Sequence, residues 1–224
     1  MSPKIRLFGL TCCVIFLITA CVSTEPLRGT ALGETAVIRM DDGQFNCAPT
    51  GQEPTRFDAP EQVILSTAHY LATITMDNNE QVDIALYTES APTAVNSFVF
   101  LACQGFYDGV TFHRVIPDFV AQSGDPSGTG RGDPGYTILG EGLNGKVFDR
   151  AGLVGMAHSG HPDSAGSQFF ITYGPTPSLD GRFTIFGEVI AGMAVIDTLT
   201  PRDPEKAVQD GAVIRQIRIE EIQG

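Results

Sequence analysis

The sequence has no tryptophan, only 4 histidines and 5 cysteines, and 14 basic residues against 26 acidic ones. The shortage of positive charge leaves a net charge of −12. Phosphate backbones repel such a chain, which argues against nucleic acid as a partner. Direct electrostatic adhesion to anionic lipid is disfavoured on the same ground. There is no C-x-x-C pair and no Cys/His spacing of a metal site. There is no G-x-S-x-G elbow and no histidine set beside a carboxylate in a triad pattern, so hydrolysis has little support. Internal repeats and low-complexity tracts are absent. Glycine (25) and proline (14) are plentiful, and 42% of residues are hydrophobic. That balance points to many turns and short strands around a core, not to a helical bundle.

The N-terminus reads as a targeting segment. In "MSPKIRLFGLTCCVIFLITAC", Lys4 and Arg6 precede an apolar run from Leu7 to Ala20. The run is too short to span a bilayer and has the length of a signal-peptide core. Its end, "ITAC" at residues 18–21, resembles the lipobox of bacterial lipoproteins. The resemblance implies a signal peptide over 1–20, diacylglycerol on Cys21, and an extracytoplasmic place in a bacterial cell envelope, lipid-anchored to a membrane. Two or more acyl chains give stable anchoring where one is marginal. Residues 21–60 are then the lipidated cysteine and a tether that can dock locally. A flexible chain of about 40 residues has its ends roughly 35 Å apart. Cys47 and Cys103 would meet oxidants after export, and both a disulfide and two free thiols remain open.

The folded domain is expected over 61–224. "HYLATITM" and "QVDIALY" alternate as two strands, with "DNNE" as the turn between them. "SAPTAVNSFVFLACQGFY" switches to helical spacing: Pro92 fits the first turn, Val95, Phe98, Val99 and Ala102 form the apolar stripe, and Gly105 ends it. Short strands follow around 112–122, 152–157, 167–173 and 184–190. "AGMAVIDTLT" fits a second helix, and "AVIRQIRIEEI" a closing strand. Short antiparallel strands with only two helices imply a barrel or sandwich.

Two motifs fail on context. "GRGDPG" at 130–135 matches G-x-G-x-x-G, but Pro134 interrupts it and no helix follows, so it reads as a loop. His158 and His161, with Asp163 nearby, lack a third fixed ligand position and lie in a Gly/Pro loop.

Three blocks carry chemistry: "FHRVIPDFVAQSGD", "GMA…GSQFFI" and "LDGRFTIFG". Together and in this order they resemble the cyclophilins, the peptidyl-prolyl cis-trans isomerases, over the stretch from His69 to Glu220. The resemblance implies a mainly β fold, a closed eight-stranded antiparallel β-barrel capped by two α-helices. It implies Arg114 as the catalytic arginine and Gln122 as its hydrogen-bonding neighbour. Phe119, Val120, Phe170 and Leu179 match the proline pocket; Ala157, Gln168 and Phe183 match further lining positions. The backbone of His158 matches the position that binds the moving carbonyl. His113 matches a structural position.

The residue types suit the reaction. An X-Pro bond rotates against a barrier near 18–20 kcal/mol, in tens to hundreds of seconds unaided. Rotation needs no nucleophile, metal or cofactor. It is helped by a donor aimed at the prolyl nitrogen as its lone pair localises, and by a socket that holds the ring. Partners implied are X-Pro segments of unfolded or newly exported proteins, acted on by a monomer. A proline-peptide-binding module or holdase with incidental turnover is the competing reading. Departures from the family pattern are Val120 for Met, Ser123 for Gly, Ser178 where many eukaryotic members have Trp, and Phe183 where they have His. Loss of the indole implies weak cyclosporin binding.

Overall fold

A computed structural model describes residues 46–47, 56–207 and 210–222. The expected signal peptide and the Cys21 lipidation site lie outside the described residues. The strands are β1 (Asn46–Cys47), β2 (His69–Met76), β3 (Gln81–Leu86), β4 (Arg114–Ile116), β5 (Val120–Ser123), β6 (Leu153–Met156), β7 (Phe169–Thr172), β8 (Ile185–Ala191) and β9 (Ile214–Ile222). The helices are α1 (Pro92–Cys103) and the short α2 (Met193–Asp197). Among the described residues every strand pair is antiparallel, in the order β1-β9-β2-β3-β8-β6-β7-β5-β4. The expected single strand around 112–122 is in fact a tight hairpin. Pro117 cannot donate to a ladder, and Asp118 turns the chain at a φ of 61°.

The barrel is not closed as the resemblance implied. Its eight strands form a curled, open sheet, and β1 adds a ninth of two residues. Among the described residues the remaining gap is crossed by isolated bridges, Thr111 with Val213 and Val115 with Arg202, and by a few backbone hydrogen bonds between 109–112 and 212–214, not by a continuous ladder. Arg202 exchanges both backbone bonds with Val115, and Pro204, two residues on at the next position that would face β4, has no N–H to continue the pairing.

Around β5, β6 and β7 the sheet buries both of its faces. On one side lies the main core, where Phe98 of α1 meets Phe169 edge-on at 5.5 Å and Phe186 at 5.2 Å. The opposite side carries a separate, smaller cluster built on Val120, Phe148, Leu153, Phe170, Leu179 and Ile185. This explains why β7, "FFIT", is buried at every position: odd and even residues each have a core to enter.

Helix α1 departs from its expected single stripe. Every residue from Ala94 to Cys103 is buried. Its polar side chains are satisfied instead of solvated. The Asn96 carboxamide oxygen accepts from the Val63 and Ile64 amides at 2.9 and 3.3 Å, and the Ser97 hydroxyl meets that of Tyr136 at 2.9 Å. Glu141, from a distant loop, caps the helix by accepting the Thr93 and Ala94 amides, each at 3.0 Å.

Part of the segment expected as tether belongs to this fold. Residues Asn46–Cys47 pair with the edge of β9, and Cys47 is disulfide-bonded to Cys103 at the end of α1. Phe57 packs edge-on against Phe100 at 5.1 Å, and its amide donates to the Pro134 carbonyl at 2.7 Å. The disulfide spans 56 residues of chain, and closing a loop of that length removes about 4 kcal/mol of unfolded-state entropy in the chain model. Replacing both cysteines with serine is therefore expected to lower the free energy of unfolding by about 2–5 kcal/mol. Urea melts of the oxidised protein and the double variant check this; equal midpoints would show that the bond does not brace the fold.

Candidate active site

Cross-strand register builds the site. Arg114 stands opposite Gln122, Gln122 opposite Phe170, Phe170 opposite Gly155, and Gly155 opposite Ile185. Directly opposed residues share a face, so this row puts a guanidinium, a carboxamide and a phenyl ring side by side. It lies on the sheet face away from the main core. Arg114 thus sits in an apolar strand because alternate residues point to opposite sides: Val115 enters the core and Arg114 does not.

A chain of polar contacts fixes the guanidinium. Arg114 Nη1 donates to Gln122 Oε1 at 3.3 Å, and Gln122 Nε2 donates to Gln168 Oε1 at 2.9 Å. Gln168 Nε2 donates to the carbonyls of Gly130 and Gly132 at 3.2 and 2.9 Å. Each amide is therefore oriented by the next, and the end of the chain is held by backbone. Among the described residues Arg114 forms no ion pair. An arginine kept for stability would ordinarily meet a carboxylate; this one keeps most of its donors uncommitted. His113 beside it is fully buried, and burial pushes its pKa below the usual value against the opposing pull of Asp125.

The apolar socket adjoins this row. Val120, Phe170 and Leu179 are buried, with Phe119, Ala157 and Phe183 partly buried against them. Phe170 stacks on Phe148 at 5.6 Å and meets Phe183 edge-on at 5.6 Å. All eight residues matched to substrate binding gather around Arg114 and Gln122 in this way, in the socket or along a groove of about 760 Å³ that Gln122, Ala157, His158 and Gln168 help to line. A second cavity, of about 700 Å³, lies between the 77–80 turn and residues 198–213 and shares none of them.

The structure adds residues that motif matching missed. Phe148 backs the Phe170 ring, yet it lies in a loop with no periodic pattern to reveal it. Gly155 lies under that ring: a Cβ there would stand 2.5 Å from the ring carbon Cζ. His158 contributes a side chain as well as a backbone. Its ring stacks on Phe183 at 4.2 Å with an 18° tilt, and its Nε2 lies 3.0 Å from the Arg182 carbonyl. Nδ1 accepts from the Gly160 amide at 3.2 Å, so Nε2 carries the proton. His158 and Phe183, the second a departure from the family pattern, thus form one wall. Ser123 is also accounted for: its buried hydroxyl donates to the Thr111 carbonyl at 3.0 Å.

The loop "GRGDPG" holds no helix N-terminus and serves as the backbone cradle for Gln168. Asp125 organises it. Burial alone would raise the Asp125 pKa, but hydrogen bonds from Ser127, Gly132 and Gly130 outweigh this and hold it below the usual carboxylate value. Among the described residues no cluster of three His, Cys, Asp or Glu side chains suits a metal ion.

Residues 71–223 match the family described as cyclophilin type peptidyl-prolyl cis-trans isomerase/CLD. The chain belongs to this family. It is 42% identical over 156 residues to peptidyl-prolyl cis-trans isomerase B of Bacillus subtilis, covering 70% of this chain and 99% of that protein. It is 52% identical over 117 residues to the isomerase ppi1 of Schizosaccharomyces pombe, covering 50% of this chain and 74% of the relative. A crystal structure of a cyclophilin type isomerase from Cryptosporidium parvum superimposes with a TM-score of 0.62 at 31% identity, over 67% of this chain and 97% of that one. The same Cryptosporidium protein, crystallised in the presence of the dipeptide Ala-Pro, gives a TM-score of 0.60 at 30% identity, over 69% of this chain and 99% of that one.

The contact between Gly155 and Phe170 gives a direct test of the socket. Gly155→Ala is expected to push the ring out of place, costing about 1–3 kcal/mol of stability and raising KM for a proline peptide. Thermal melts and peptide kinetics check it; unchanged KM in a folded variant would mean the ring position does not matter to binding.

Proposed function

We propose that the chain catalyses cis-trans rotation of X-Pro bonds in unfolded or newly exported proteins, by arginine-assisted twisting of the amide without a covalent intermediate. The observation that carries the mechanism is the Arg114 guanidinium, unpaired with any carboxylate among the described residues and oriented through Gln122 and Gln168 beside an apolar socket.

The socket takes the pyrrolidine ring by burial of apolar surface. As the amide twists, conjugation is lost and the prolyl nitrogen gains a localised lone pair. Arg114 donates to that lone pair, a bond that exists only in the twisted state. Such an interaction lowers the barrier without tightening ground-state binding. The apolar walls keep water from competing for the same nitrogen. The His158 backbone receives the carbonyl that moves as the peptide on the amino side of proline turns.

An extracytoplasmic location, with Cys21 acylated and the protein attached to a bacterial envelope membrane, is part of the same reading. The Cys47–Cys103 disulfide supports it, because such bonds persist in oxidising compartments. Ser178, exposed where many eukaryotic family members have Trp, supports weak cyclosporin binding. The protein is taken to act as a monomer.

Arg114→Ala tests the mechanism. Loss of one donor to a developing charge lowers kcat by about 10²–10³, with proline-peptide affinity retained. Exchange spectroscopy on an X-Pro peptide, with a parallel binding titration, reads both. A wild-type protein that binds the peptide and does not speed exchange would instead establish a proline-binding or holdase module.

A further inference from the structure

The family match begins at residue 71, and the segment docked before it has a position of its own beside the site. Arg56 lines the groove that also contains Gln122, Ala157, His158 and Gln168. We propose that Arg56 completes the substrate groove of this isomerase and makes it select proline-containing chains that carry a carboxylate close to the rotating bond. The inference rests on the isomerase reading above and deepens it to a substrate class.

Arg56 is held in place by its neighbour. The Phe57 ring is packed against Phe100 and Phe106, and its amide donates to the Pro134 carbonyl at 2.7 Å. Gly135 makes this approach possible: it adopts a φ of +100°, and a Cβ there would stand 2.4 Å from the Phe57 carbonyl oxygen. The same 130–135 loop supplies the carbonyls that hold Gln168. Docked segment, groove wall and the Gln168–Gln122–Arg114 chain are therefore continuous.

Charge then decides what the groove favours. Its charged side chains are Arg56 and Arg131 against Asp133, in a protein of net charge −12. The groove is a local reversal of the overall field. Asp133 lies 3.4 Å from Arg56, but both side chains are more than half exposed, at 69% and 54%. The same Asp133 oxygen accepts the Gly135 amide at 2.7 Å. One shared, solvated carboxylate leaves most donors of the Arg56 fork available. Arg131 is still less committed, 3.8 Å from Glu205 with both side chains near full exposure, at 84% and 78%. An extended chain advances 3.3–3.6 Å per residue. A side chain within a few residues of a proline seated in the socket therefore passes this wall.

The test compares the intact protein with Arg56→Gln on X-Pro peptides bearing Glu, Gln or Lys at each of three positions on either side of proline. The wild type is expected to favour Glu over Gln by about two- to fivefold in kcat/KM at one of these positions. The preference should lie in KM with kcat unchanged, and should shrink at high ionic strength. Arg56→Gln is expected to shrink the Glu-over-Gln preference to the part that Arg131 alone supports, with the change read in KM. A preference of equal size in both proteins, or none at any position in the wild type, would overturn the inference. A wild type inert on neutral peptides would instead overturn the isomerase reading. The groove is then judged by the affinities of the same Glu and Gln peptides.

Discussion

One register governs the site: Arg114, Gln122, Phe170, Gly155 and Ile185 stand in a single row across five strands. A slip of one residue in any of these strands would send its side chains to the opposite face. Arg114 would enter the main core, and the socket would lose Phe170. The register is secured because both faces have work to do. Val115, Ala121, Phe169 and Ile171 are buried in the main core, while Val120, Phe170 and Ile185 are buried in the second cluster. The same alternation that folds the sheet therefore aims the face that carries the candidate site.

The register also explains how a charge is tolerated here. A guanidinium at the edge of an apolar cluster must find acceptors or remain wet. Arg114 does some of each: it is half-buried and bonded to Gln122, whose own amide is held by Gln168 and finally by backbone carbonyls. Among the described residues no carboxylate bonds to this chain, so the charge is positioned without a direct ion pair. That is the arrangement a reaction needs when its transition state, and not its ground state, offers the lone pair.

Much of this was legible in the sequence. Strand alternation placed β2, β3 and β9, and helical spacing with Pro92 placed α1. The residues that the signature blocks proposed for the site lie together, because those blocks contain the strands of the row itself. What was not legible came from contacts between distant segments. The burial of Asn96 and Ser97 depends on Val63, Ile64 and Tyr136, which no helical period can announce. Phe148 and Glu141 act from irregular loops. A closed barrel was expected from the family resemblance, but the pairing beside β4 stops at the Val115–Arg202 bridge, where Pro204 has no N–H to carry it on. The pairing of Cys47 with Cys103 could not be chosen from composition, since it requires β1 to reach the edge of β9. That pairing, with Phe57, turns part of an apparent tether into a structural element.

The central claim is geometric: the row places a proline ring against Phe170, over Gly155, with the Arg114 guanidinium at the prolyl nitrogen. The measurement that tests it most directly is a crystal structure of this protein with an Ala-Pro-containing peptide bound. The account predicts the ring among Phe119, Val120, Phe170 and Leu179, with an Arg114 Nη within hydrogen-bond reach of the prolyl nitrogen and Gln122 still joined to Gln168. A peptide seated in the socket with the guanidinium turned away from that nitrogen, or a ring bound elsewhere, would contradict it.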